Sequence, residues 1–138
     1  KISKEQIVGL VVALEDFLER KDKIYSEKMN IAEHIVSELK DIPDISVDII
    51  PNDESYHEHP IMPHVPRVKI EWDKNKLGLS PEQLDNLMKE EDPPVILRGH
   101  IYYNYYTDRA WRLIDTYFLR DEEIKIIVNR LRKIFLQK

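Results

Sequence analysis

At 138 residues the chain has the length of one domain, and its 42% apolar and 34% charged residues fit one core with a charged exterior, which excludes a largely disordered polymer. A net charge of -5 excludes a broadly basic nucleic-acid coat, and the absence of cysteine excludes disulfides, thiolate metal sites and a cysteine nucleophile, as suits a cytoplasmic protein. No apolar run approaches the roughly 20 residues that span a bilayer, and the N-terminus has no signal-peptide core.

The first element reads as a long helix. Ser3 is placed to cap it, with Glu5 and Gln6 in the first turn, and Ile7, Leu10, Val11, Leu14, Phe17 and Leu18 repeat at three- and four-residue spacing. After the polar residues 19–23 the pattern resumes at Ile24, Tyr25, Met29, Ala32, Ile35, Val36 and Leu39, and Pro43 ends it. Such a helix is roughly 55 Å long, more than a domain of this size covers. Its first half is therefore expected to pack on something outside the chain, the alternative being a bent helix that folds back. The start at Lys1, directly before the helix, reads as a cut end or as the residue that follows a disordered tag.

Ile45, Val47 and Ile49 alternate with polar residues as a half-buried strand does. Residues 51–66 hold four prolines and three histidines and read as a loop. Val68, Ile70 and Trp72 form one face of a second strand, and Gly78 closes the next turn. Ser80, Pro81 and Gln83 start a helix that buries Leu84, Leu87 and Met88. Residues 95–106 and 110–119 read as a hairpin turning near Thr107, Asp108 and Arg109. Asp121 caps a last helix with Ile124, Ile127, Val128, Leu131, Ile134 and Phe135 inward. The order is α-β-β-α-β-β-α: an α+β fold with a small antiparallel sheet and helices on one face.

Only Gly9, Gly78 and Gly99 are present, so no phosphate-cradling loop or dinucleotide fingerprint is built, and no serine sits in a nucleophile elbow. His57, His59 and His64, with Glu58, have spacing that suits zinc or nickel, but a proline-rich loop fixes no geometry and a solvated loop is the plainer reading. The tyrosines at 102, 103, 105 and 106 suit a strand by propensity, or an interface, better than a base-stacking surface on an acidic chain.

Three segments carry a resemblance. Residues 1–10, KISKEQIVGL, are similar to the stretch where a main domain passes into a connecting helix. Residues 65–73, VPRVKIEWD, with LGLSP at 77–81, resemble a central strand and helix start. Residues 92–98, DPPVILR, resemble a substrate-side strand, and Ile114 and Asp115 through Glu123 its exit into the last helix. The family is the selenocysteine-synthase-like group of fold-type I pyridoxal-phosphate enzymes, which includes L-seryl-tRNA selenium transferase and D-glucosaminate-6-phosphate ammonia lyase.

The resemblance implies one domain over 1–138, with 1–23 connecting to a missing N-terminal large domain that holds pyridoxal phosphate through a lysine. It implies a small domain that closes over an amino-acid substrate in a lyase or transferase, inactive alone, homo-oligomeric when intact, and bound to neither nucleic acid nor membrane. It places Arg98 on the substrate carboxylate, which a planar guanidinium fits, against the plainer reading of an edge arginine paired with an acid. His100 follows on the same strand face, and Lys1 and Lys4 match a lysine pair at the domain junction, though a structural histidine and solvated lysines remain open. Many members carry an arginine just after the return-strand Asp; here Thr116 and Tyr117 follow Asp115, which removes one support for a phosphorylated substrate. Arg109 and Arg112 are expected to point elsewhere. The other class of reading is a stand-alone α+β regulatory or dimerisation module without cofactor.

Overall fold

The computed structural model describes residues 2–50, 66–99 and 108–137. Helix α1 runs unbroken from Lys4–Leu39. Ser3 caps it reciprocally: Gln6 N donates to Ser3 Oγ at 3.2 Å and Ser3 N donates to Gln6 Oε1 at 3.0 Å. It ends at Lys40, three residues before Pro43, and Asp44 turns the chain at φ 65, a left-handed conformation that Asp tolerates better than most residues.

Three strands follow, β1 (Ile45–Ile50), β2 (Arg67–Asp73) and β3 (Arg109–Asp115), in one antiparallel sheet ordered β1-β2-β3. Register decides what each face carries. Ile45, Val47 and Ile49 lie opposite Trp72, Ile70 and Val68, which in turn lie opposite Ala110, Arg112 and Ile114. Because side chains alternate along a strand, these positions share one face. The helices close it: Ala32, Ile35 and Leu39 of α1, Leu84 and Met88 of α3 (Pro81–Lys89), and the apolar stripe of α4 (Asp121–Leu136), including Leu131 and Phe135. Trp72 is fully buried, meets Phe135 edge-on at 5.6 Å, and donates its indole N–H to Leu79 O at 2.8 Å, so its single polar atom is satisfied inside the core.

Several elements differ in detail from expectation. A short helix α2 (Lys74–Leu77) follows β2, because Asp73 accepts from Asn75 N and Lys76 N and Gly78 closes it at φ 58. The cap of α4 is Arg120 rather than Asp121, its backbone N–H answered by Glu123 Oε2 at 2.8 Å. The return strand stops at Asp115, where Thr116 Oγ1 turns inward and donates to Pro66 O at 2.6 Å. Of the first hairpin arm, residues 95–99 join the sheet through one bridge, with Arg98 and Leu113 exchanging hydrogen bonds of 2.9 and 2.7 Å. Residues 100–107, with the four tyrosines, and the histidine loop at 51–65 lie outside the described residues.

The first half of α1 does not bend back. Ile7, Val8, Leu10, Val11, Val12, Leu14, Phe17 and Leu18 are all exposed, and half-burial begins only at Ile24 and Tyr25. A helix that is apolar nearly all round, as residues 7–14 are, normally lies inside protein.

Candidate functional site

The face of the sheet opposite the helices is polar. Alternation puts Arg67, Lys69, Glu71 and Asp73 of β2 there, with Arg109, Trp111, Leu113 and Asp115 of β3 opposite them. Arg98 pairs with Leu113, so it belongs to this face too, while its neighbour Gly99 lies over Arg112.

Arg98 reaches Asp115 diagonally, Nη1 to Oδ2 at 3.1 Å. Arg67, directly opposite Asp115 in register, brings Nε to 3.7 Å from the same oxygen. The other carboxylate oxygen is engaged by the chain itself, since Tyr117 N donates to Oδ1 at 3.1 Å. Asp115 thus stands between two guanidiniums and is fixed from behind by the turn after β3. Both arginines are partly accessible, Arg98 at 41% and Arg67 at 19% of the side chain. Along the same face Glu71 accepts from Lys69 Nζ and from Arg109 Nε, at 2.5 and 2.7 Å. The hydrogen bond from Lys69, aided by Arg109 and partly opposed by burial, holds the Glu71 carboxyl below its ordinary value.

Arg98 is supported from the helix side. Arg112 is buried on the core face and forks onto Asp85 of α3, with Nε and Nη2 at 2.8 and 2.7 Å from its two oxygens. A Cβ at Gly99 would lie 2.9 Å from Arg112 Nη1, so the strand carrying Arg98 approaches that guanidinium closely only because residue 99 has no side chain. Arg130, also buried, donates to Pro93 O at 3.0 Å and to Met88 O, while Val95 N donates to Met88 O, tying down the segment that leads to Arg98.

Arg98 is therefore on the helix-free face, paired with an acid, next to a residue the sequence reading did not single out. Arg67 sits in the VPRV motif, and strand alternation alone puts it on the face of Lys69; what the sequence lacked was the pairing of position 67 with 115. Arg112 points to the opposite face and Arg109 to the far end of this one, as alternation suggests. Lys4 is exposed in the first turn of α1, roughly 30 Å of helix from the first packed turn, and is not brought to Arg98. Lys1, His100, His57, His59 and His64 lie outside the described residues. Among the described residues no three His, Asp or Glu side chains form a metal-holding group, and no helix is long and apolar enough to cross a membrane.

The anchors of pyridoxal phosphate are not supplied by these residues. No described lysine is buried, whereas burial is what lowers a lysine pKa for Schiff-base chemistry, and Gly9, Gly78 and Gly99 lie on separate elements that form no phosphate cradle.

No family model matches the chain, and no curated protein does. Among solved structures, the chain is similar to one described as D-glucosaminate-6-phosphate ammonia-lyase, with a TM-score of 0.58 and 21% identity. The match covers 99% of this chain and 33% of that one, so this chain spans about a third of that length. The likeness is one of fold: the α+β layer described above occurs as part of a larger chain.

Proposed function

We propose that the chain is the small, substrate-closing domain of a pyridoxal-phosphate-dependent lyase or transferase acting on an amino acid, with the cofactor held by a large domain outside it. The observation that carries this reading is the bare apolar half of α1. Eight large apolar side chains, from Ile7 to Leu18, stand in water on a helix whose other half is packed, and burying each against a body would contribute about 1.5–3 kcal/mol. A stand-alone module that does not dimerise leaves this surface wet. The partial coverage of the ammonia-lyase chain supports the same reading.

In this role Arg98 grips the substrate carboxylate, and Asp115 fixes its guanidinium on the helix-free face. The contribution is positioning: a two-pronged donor fixes the orientation of the amino acid without moving a proton.

The test uses the protein translated from the complete reading frame. Arg98→Ala is expected to raise KM for the amino acid by roughly 10- to 100-fold, the loss of a charge-assisted pair, with the cofactor's visible absorption unchanged. An unchanged KM removes Arg98 from this role. A full-length protein that takes up no pyridoxal phosphate ends the proposal.

A further inference from the structure

We infer that the first half of α1 takes two separate covers: the large domain along one arc, and a second copy of this chain, paired antiparallel across a two-fold axis, along the other. The first cover rests on the reading above. The second concerns a different stripe of side chains and can fail alone.

The two arcs follow from helix geometry, in which each residue turns by about 100°. Phe17, Leu10, Leu14, Ile7 and Leu18 share one arc of about 100°, the arc along which Ile35, Leu39 and Ala32 meet the core further on. A body lying beside the sheet and α4 continues that cover. Val8 and Val12 stand on the other side of the helix, about 130–170° from the middle of the first arc, with Val11 at the border. These valines are exposed at 61%, 58% and 47%. A surface laid against one side of a helix leaves the opposite side wet, so the valine arc needs a cover of its own.

The charges beside the valines point to this chain as its own partner. Along the arc the order is Lys4, Val8, Val11, Val12, Glu15, Glu19: a cation at one end, apolar residues in the middle, acids at the other. Neither Lys4 nor Glu15 has an ion-pair partner among the described residues, whereas nearby Asp16 pairs with Arg20 at 3.2 Å, and Glu5 is engaged by its own backbone N–H and Ser3. Turned end for end, a second copy puts Val8 opposite Val11 and, in the same register, Lys4 opposite Glu15. Each contact occurs twice, as a self-complementary interface requires. A parallel pair would set Lys4 on Lys4 and Glu15 on Glu15, which repel.

The length fits as well. In this register Ser3 of the second copy lies opposite Asp16, and half-burial begins only at Ile24, about 12 Å further along. The pair forms within the free half and stays clear of the packed layer. Three half-exposed valines with the stems of Lys4 and Glu15 bury about 800 Å² over both copies, below the roughly 1,200 Å² of a stable interface. The contact is therefore weak alone and adds to any other surface that joins two copies.

The test is made in the protein translated from the complete reading frame. This chain has no cysteine, so introduced thiols are the only ones in it. Within one helix, positions 4 and 15 lie about 16 Å apart, beyond the roughly 7 Å between Cα atoms that a disulfide spans. Lys4→Cys with Glu15→Cys in one chain is therefore expected to link two copies on mild oxidation, the linked peptides being identified by mass, while each single variant links at least fivefold less. Charge reversal asks the same question with the thiols moved away. Copies carrying Val8→Cys are mixed with copies carrying Val11→Cys; Lys4→Glu in both is expected to slow their linking at least threefold, and Glu15→Lys added to it to restore the rate. A double-cysteine variant that stays unlinked, single variants that link as fast, or a reversal that is not rescued overturns the antiparallel pair. None of these results touches cofactor uptake, on which the broader reading depends, and linked copies that take up no pyridoxal phosphate end that reading while the pair stands.

Discussion

The two halves of α1 have the same kind of sequence and opposite surroundings. Residues 7–18 carry apolar side chains at least as densely as residues 24–39, yet Leu14 stands 54% exposed while Leu39 is fully buried. Periodicity specifies a helix and the face it wants covered; it does not supply the cover. For the second half the cover is the sheet and α4. For the first half the described residues supply none.

That contrast can be broken by making one substitution on each side of it and by loosening the layer that holds the packed half. Leu39→Ala removes a fully buried side chain and is expected to cost about 3 kcal/mol, read as a lower denaturant midpoint at an unchanged slope. Asp85→Ala removes the carboxylate onto which the Arg112 guanidinium, 5% exposed, forks; because Asp85 itself is a quarter exposed, we expect about 2 kcal/mol, less than for a fully buried pair. Glu71 gives a smaller, pH-dependent effect. Its folded pKa lies below the ordinary 4.5, so its stabilisation is present above that value and is lost as pH falls through the lower folded value. With its partners Lys69 and Arg109 partly solvated, this amounts to roughly 0.5 kcal/mol, and Glu71→Gln should flatten the acid limb of a stability-versus-pH curve by that amount. Leu14→Ala, the same chemical change as at Leu39, is expected to alter the stability of this chain by less than about 0.5 kcal/mol. A cost at Leu14 matching that at Leu39 in the isolated chain would mean that α1 is covered from within, and the comparison would fall.

Much of this fold was legible in residue patterns. Ser3 with Gln6 and Ser80 with Gln83 form the capping boxes their spacing suggests, and Val68, Ile70 and Trp72 share the buried face. Short-range signals of this kind need no partner strand. The candidate site was legible only in part. Arg98 stood out through a motif, but its pairing with Asp115 and the approach of Arg67 depend on strand register, a long-range property set by how β2 and β3 align. Arg112 illustrates the same limit: its place among core positions goes with a fork onto Asp85 of another element, which a strand's own sequence does not show. Helix α2 was missed because four residues leave no period to read, although Asp73 and Gly78 mark both its ends.

The capping box at Ser3 has a mechanical consequence. It keeps the first turn of α1 wound, so the rod of 36 residues stays stiff to its tip, roughly 54 Å from end to end. Gripped only along its last turns, such a rod is a lever: tilting by about 5° over its free 20 residues carries the tip through roughly 3 Å.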